Sequence, residues 1–319
     1  MPFTTLAEMV AQQRADATAI TAPAGDTPCT ALTYGALSAL IDRTVSTLNG
    51  QGIGRGDRVA IVLPNCPEMA TAFVAVASAC TSAPLNMAYR ADEFEFYLSD
   101  LKAKALIVAE GAQTPARDVA AKLGVRVLEL RPMPGRGAGD FDLVAQGVGA
   151  TLAASSGAAQ ADDVALILHT SGTTSRPKIV PLTHRNVCAS ARNISRTLAL
   201  TERDVELHIM PLFHIHGLIA GVLAPLAAGS QVFCTPGFNA LKFFAWMDEA
   251  RPTWYTAVPT MHQTILGLAP RNGEIIGRGR LRFIRSSSAS LPPQVMTAVE
   301  EAFKDRKSTR LNSSHANIS

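Results

Sequence analysis

Residues 170–178 read Thr-Ser-Gly-Thr-Thr-Ser-Arg-Pro-Lys and follow the apolar run 164–168 after a single residue, His169. Phosphate oxygens are strong acceptors, so a loop that holds them must offer many donors at close range. The hydroxyls of Thr170, Ser171, Thr173 and Thr174 supply donors with little bulk, and Gly172 lets the backbone approach an anion closely. Lys178 adds a positive point charge, and charge-assisted hydrogen bonds of this kind contribute about 1.5–3 kcal/mol each. The Walker pattern G-x-x-x-x-G-K-[ST] is absent, so this is a phosphate loop of another type. A Ser/Thr/Gly stretch alone also suits an ordinary surface turn; the strand before it and the closing Pro-Lys favour the phosphate reading.

The elements that must position this loop are short apolar runs alternating with helical patterns. Strands are predicted at 58–63, at Ala105–Ala109, at 125–130 and, fully buried, at 164–168. Later strands centre on Val232, on Trp254-Tyr255-Thr256 and on Arg282-Phe283-Ile284. Helices are predicted at 67–79, 185–197 and 292–302, and at Pro115–Leu123, where Thr114 caps and Pro115 takes the first helical position. This alternation predicts an α/β fold of layered, largely parallel sheets flanked by helices. The Pro/Gly-rich stretch 132–139 and the Ala/Gly/Ser-rich stretch 147–162 read as surface connections. Residues 50–56 hold several glycines but end in Asp57 rather than a helix, which argues against a dinucleotide fingerprint.

Composition bounds the rest. The 319 residues are 47% hydrophobic and 17% charged, enough to bury a sizeable core. A formal net charge of +3 is too small to imply a nucleic acid or an acidic membrane surface. The five cysteines are scattered without C-x-x-C or metal spacing, so the chain is expected in a reducing cytoplasm with its thiols as small core residues. No leader pattern opens the sequence, and the longest apolar stretch, 215–228, carries His216 and Pro225 and is too short to span a bilayer.

The loop resembles the phosphate loop of the acyl-adenylating superfamily: AMP-forming acyl-CoA synthetases, firefly-type luciferases and peptide-synthetase adenylation domains. Residues 83–90, running on to Phe96-Tyr97-Leu98-Ser99-Asp100, resemble its early core motif. Pro211-Leu212-Phe213-His214-Ile215-His216-Gly217-Leu218 resembles the motif that faces the acyl pocket, and residues 282–289 the strand and turn beside the adenine. Within the superfamily the likeness is to oxalate–CoA ligases and near relatives. It is carried by residues 169–178, the paired His214 and His216, residues 253–260 with His262-Gln263, and the serine-rich turn 286–290.

The resemblance implies the large N-terminal, AMP-binding domain over residues 1–304. It implies attack of a carboxylate on the α-phosphate of ATP, giving an acyl adenylate that the thiol of coenzyme A then displaces. Mg²⁺ is expected on the phosphates, with no metal-ligating residue assigned. Thr170, Ser171, Gly172, Thr173, Thr174 and Lys178 would hold the β- and γ-phosphates, and Ser287, Ser288 and Ala289 would line the adenine and acyl end. His214, at the wall between the nucleotide and acyl pockets, is the candidate catalytic residue. His216 either faces the same pocket or caps a helix. Arg285 either binds a second substrate carboxylate or lies on the surface at a strand end, and His262 either lines the acyl pocket or is a packed helical histidine. Other expectations from the superfamily are a nucleotide-binding pseudo-enzyme and an adenylation domain that loads a carrier protein.

Three positions depart from the family pattern. Ile179 stands where glycine usually follows the loop lysine, Ser175 replaces a common glycine, and Met87 a common proline. A β-branched Ile179 would be costly wherever the backbone needs a positive φ. The family's later Tyr/Thr/Glu motif, ribose-binding Asp, hinge and catalytic lysine domain have no counterpart here. Residues 305–319 resemble a translated sequencing-library adapter, and there Arg306, Lys307 and Arg310 against Asp305 account for +2 of the formal charge. The chain is therefore expected to be a fragment that does not complete turnover alone, ending in a non-native, disordered tail.

Overall fold

The computed structural model describes residues 2–25, 30–145, 152–170 and 177–303. Among them run thirteen strands: β1 Thr18–Thr21, β2 Leu32–Thr33, β3 Arg58–Val62, β4 Thr81–Pro84, β5 Ala105–Ala109, β6 Arg126–Pro132, β7 Phe141–Ala145, β8 Val164–Thr170, β9 Lys178–Thr183, β10 Val205–His208, β11 Gln231–Cys234, β12 Trp254–Ala257 and β13 Phe283–Ser286. They form a seven-stranded sheet, β7-β6-β5-β3-β4-β8-β9, and a six-stranded sheet, β13-β12-β10-β11-β1-β2. Pairing is parallel except at the ends, where β6–β7, β8–β9 and β1–β2 are antiparallel.

Alternation along the strands sorts side chains into layers. Val59 and Ile61 of β3 belong to one apolar cluster, whereas Ala60 and Val62 belong to another with Phe94, Leu98 and Val119 of the outer helices. The first cluster also takes Ile20, Val232 and Cys234 from the six-stranded sheet, together with the helices Tyr34–Gly50 and Pro67–Ala77. These helices therefore lie between the two sheets. The opposite face of the six-stranded sheet packs Leu207, Tyr255 and Ile284 against the helices Ala240–Ala250, Pro259–Leu268 and Pro293–Ala302. A helix held between two sheets must be apolar all round, and residues 69–77 are all buried.

Local signals explain the boundaries. The Thr114 side chain accepts from the Ala116 N–H, Pro115 follows it, and Gly124 at φ 68° ends that helix in the left-handed region. Thr5 with Glu8 and Thr183 with Asn186 make capping boxes at the helices Leu6–Ala11 and His184–Thr197.

Two expectations need correction. The run 164–168 is not buried throughout: only Ala165, Leu166 and Ile167 are, because β8 lies next to the antiparallel end strand β9. The stretch 132–139 is not wholly on the surface either. Residues 137–139 are buried, and a Cβ on Gly139 would stand 2.8 Å from the Pro67 carbonyl oxygen, so glycine permits the close approach. In the second connection residues 147–151 lie outside the described residues, while Ala153 and Ala159 are buried and donate to the carbonyls of Asn49 and Ser78.

Candidate functional site

The feet of the candidate phosphate loop, Thr170 and Lys178, belong to the β8–β9 hairpin. Thr170 and Lys178 are register partners and both are exposed, so hydroxyl and ammonium emerge side by side. Ser171, Gly172, Thr173 and Thr174 lie outside the described residues, as does Ser175. His169, one residue before Thr170, anchors the hairpin to the motif 83–100. Its Nε2 is 3.1 Å from Asp100 Oδ2, and the Tyr97 ring meets it edge-on at 4.7 Å while stacking on Tyr89. Burial lowers the His169 pKa and Asp100 opposes the shift. Ile179 has no positive φ; it sits extended in β9 opposite His169 and packs on the cluster containing Ile167. A β-branched residue suits that position.

A second polar cluster lies at the carboxyl ends of β12 and β13, where open parallel sheets bind ligands. Arg285 is 7% exposed, which excludes a surface role. Its Nη1 lies 3.0 Å from His216 Nε2 and 3.2 Å from Thr256 Oγ1, and Thr256 Oγ1 is 2.7 Å from the same His216 nitrogen. A guanidinium only donates, so His216 Nε2 accepts and the ring is neutral, with its proton on Nδ1. That N–H donates to Ser288 Oγ at 3.0 Å. Burial first, then the positive charge of Arg285, depresses the His216 pKa to about 3, and burial depresses that of Arg285 to about 10. His216 is thus a fixed neutral donor.

Ser288 adopts φ 72°, which costs a non-glycine residue roughly 1–2 kcal/mol. The bond from His216 holds it there. Ser287 is buried, and its N–H reaches the Ala257 carbonyl, whereas Ser288 and Ala289 are exposed. His216 opens a π-helix, His216–Leu223, and makes no cap: its side chain faces the cluster. Gly217 is required beside it, because a Cβ there would stand 2.3 Å from the Pro211 carbonyl oxygen.

The AMP-binding enzyme family matches residues 7–311. The chain belongs to the AMP-binding enzyme family. It is 44% identical over 277 residues to the oxalate–CoA ligase of Arabidopsis thaliana, covering 85% of this chain and 53% of that protein. To the oxalate–CoA ligase of Saccharomyces cerevisiae it is 35% identical over 270 residues, covering 78% and 49%. Among solved structures, ATP-bound MatB from Rhodopseudomonas palustris superposes with a TM-score of 0.76 at 27% identity, covering 93% of this chain and 57% of that one. The chain thus spans about half the length of the curated relatives it matches. The family match runs past residue 305, the expected start of the adapter-derived tail, and residues 304–319 lie outside the described residues.

The two groups of candidate residues fall on different sheets, Thr170 and Lys178 on the seven-stranded and Arg285, Ser287, Ser288 and Ala289 on or beyond the six-stranded. Asn65, which sequence reasoning missed, ties their carboxyl ends together. Its amide donates to the Met210 carbonyl and accepts from the Leu212 N–H, each at 2.8 Å. His214, in the same segment, is exposed and leans on Phe213 with centroids 4.5 Å apart, and partial desolvation lowers its pKa. His262 is fully buried beside Tyr255, and burial depresses its pKa to about 4 against the backbone carbonyls of Arg285 and Ala257. It does not join the hydrogen bonds of His216. No group of three or more His, Cys, Asp or Glu among the described residues is arranged to hold a metal.

Proposed function

We propose that this chain supplies the ATP- and acid-binding half of an AMP-forming acid–CoA ligase whose acid is small and carries two carboxylates, oxalate being the first candidate. One observation carries the reading. A buried guanidinium at the carboxyl end of β13 bonds a neutral histidine, which in turn bonds the exposed residue Ser288. A guanidinium suits the distal carboxylate by bidentate pairing, and the Ser288 hydroxyl suits an oxygen beside it. A long aliphatic chain would desolvate these groups further and offer them no polar contact in return. The curated relatives named for oxalate support the same class.

In this reading Thr170 and Lys178, with Ser171, Gly172, Thr173 and Thr174 between them, hold the β- and γ-phosphates. Ser287, Ser288 and Ala289 line the adenine and acyl end. His214, exposed where the β10 segment meets the π-helix, stands between nucleotide and acid as the candidate catalytic residue. The near carboxylate attacks the α-phosphate, pyrophosphate leaves, and coenzyme A displaces AMP. The chain's task is positioning and charge neutralisation. Mg²⁺ bound with ATP would supply further neutralisation of the phosphate charge. No described helix is long and apolar enough to cross a membrane, and the free thiols of Cys66, Cys80, Cys188 and Cys234 suit a cytoplasmic setting.

The test is pyrophosphate release by the full-length protein containing this segment, with ATP and coenzyme A. Release with oxalate, strongly reduced with a monocarboxylate of equal length, is expected. Turnover confined to long fatty acids, or only with a carrier protein as acceptor, would refute the reading.

A further inference from the structure

Glu206 and His208 alternate on β10 and are fully buried. His208 Nδ1 and Glu206 Oε2 are 3.4 Å apart without the alignment of a hydrogen bond. Both carboxylate oxygens and both ring nitrogens lack a hydrogen-bond partner among the described residues. Such a pair is a poor source of stability, since desolvation outweighs an imperfect attraction. Its placement suggests another use. β10 pairs β12 at Leu207↔Tyr255, so the next residues along, His208 and Thr256, lie side by side, and Thr256 is the register partner of Arg285. The row His208, Thr256, Arg285 therefore runs beneath the π-helix. His216 meets this row at Thr256 and Arg285, and Gly221 meets it at His208. A Cβ on Gly221 would stand 2.5 Å from both Cε1 and Nδ1 of the His208 ring.

Residues 216 and 221 are five apart. At 3.6 residues per turn an α-helix would carry residue 221 about 140° away from residue 216. Winding with i→i+5 bonds brings it back onto the same face, and the Ala224 N–H does donate to the Ile219 carbonyl, five residues back. Both contacts with the sheet need the wider winding.

We propose that the Glu206–His208 pair, pressed against the bare backbone at Gly221, selects the π-helical winding and thereby positions His216 on Arg285 and Ser288. Glu206 and His208 are then positioning residues for the acid site. Their effect on substrate rests on the function proposed above, but their effect on His216 does not.

The test reads His216 directly. In the 319-residue chain with ¹⁵N-labelled histidine, long-range ¹H–¹⁵N spectra report each ring's tautomer and titration, and His216→Gln assigns the signal. Wild type is expected to show the Nδ1–H tautomer, uncharged through mild acid. Gly221→Ala and His208→Leu are each expected to give a mixed tautomer whose titration moves back toward the ordinary imidazole range. Val232→Ala, a core truncation in the apolar cluster that takes Leu218 and Val222 of the π-helix, is expected to leave His216 unchanged. Glu206→Gln, which replaces the carboxyl group without adding bulk, serves if Gly221→Ala does not fold, and the same loss of the tautomer is expected. Retention of the Nδ1–H tautomer in folded His208→Leu and Glu206→Gln overturns the proposal, as does equal loss in Val232→Ala. Failure to bind oxalate with the tautomer effects intact would count against the acid reading alone.

Discussion

Arg285 and His216 define each other. The guanidinium can only donate, which fixes the imidazole as an acceptor on one nitrogen and a donor to Ser288 on the other. Replacing Arg285 by Gln removes the charge that would meet a distal carboxylate. In the full-length protein the KM for a diacid should rise about tenfold to hundredfold, the equivalent of one charge-assisted contact, with the KM for ATP nearly unchanged; steady-state kinetics with both substrates checks this. The buried histidines also set a pH dependence. The folded-state pKa values of His216, about 3, and His262, about 4, lie below the unfolded value of 6.5. Below pH 6.5 the unfolded chain binds protons that the folded chain refuses, so stability falls as pH drops, by up to about 1.4 kcal/mol per pH unit for each group. Burial raises the Glu206 pKa, which opposes this trend. The clean measurement is therefore the change in slope between wild type and His216→Gln or His262→Gln. Urea unfolding between pH 7 and 5 should be less pH-dependent in each variant. At this scale the sequence singled out Lys178, His216 and Arg285 as candidates, and the structure sets Lys178 beside Thr170 and Arg285 beside His216. The sequence was silent on Glu206 and His208, since two polar residues alternating in a four-residue strand resemble an exposed face.

Elements with their own punctuation were legible. Ala105–Ala109 and Pro115–Leu123 lie where apolar runs, a capping threonine and a first-turn proline place them. β1, β2 and β10 have only two to four residues and were not foreseen, because their pairing comes from distant segments. The winding of residues 216–223 was equally hidden, being fixed by the surface beneath. The strand β9 settles the question raised by Ile179. That side chain is half-buried in an extended strand, so Ile179→Gly gives up apolar contact and adds backbone freedom. It should destabilise by about 2 kcal/mol in urea unfolding, and no gain in ATP affinity should accompany the loss.

Across the whole molecule two sheets share one central layer of helices, and Asn65 joins their carboxyl ends. Asn65→Ala deprives the Met210 carbonyl and the Leu212 N–H of their partner. We expect a loss of about 2–3 kcal/mol, with faster amide hydrogen exchange concentrated at residues 210–214 rather than in the sheets. The order of the six-stranded sheet has a consequence for synthesis. Ile20 on β1 pairs with Val232 on β11, so the N-terminal strand's parallel partner is translated about 200 residues later. At about 5–20 residues per second, the first strand waits roughly 10–40 s for it. From completion of the seven-stranded sheet at Thr183 until β11 emerges, the apolar helix Pro67–Ala77 has only one of its two covering sheets. Emergence from the ribosome is thus the stage at which this architecture most needs a chaperone.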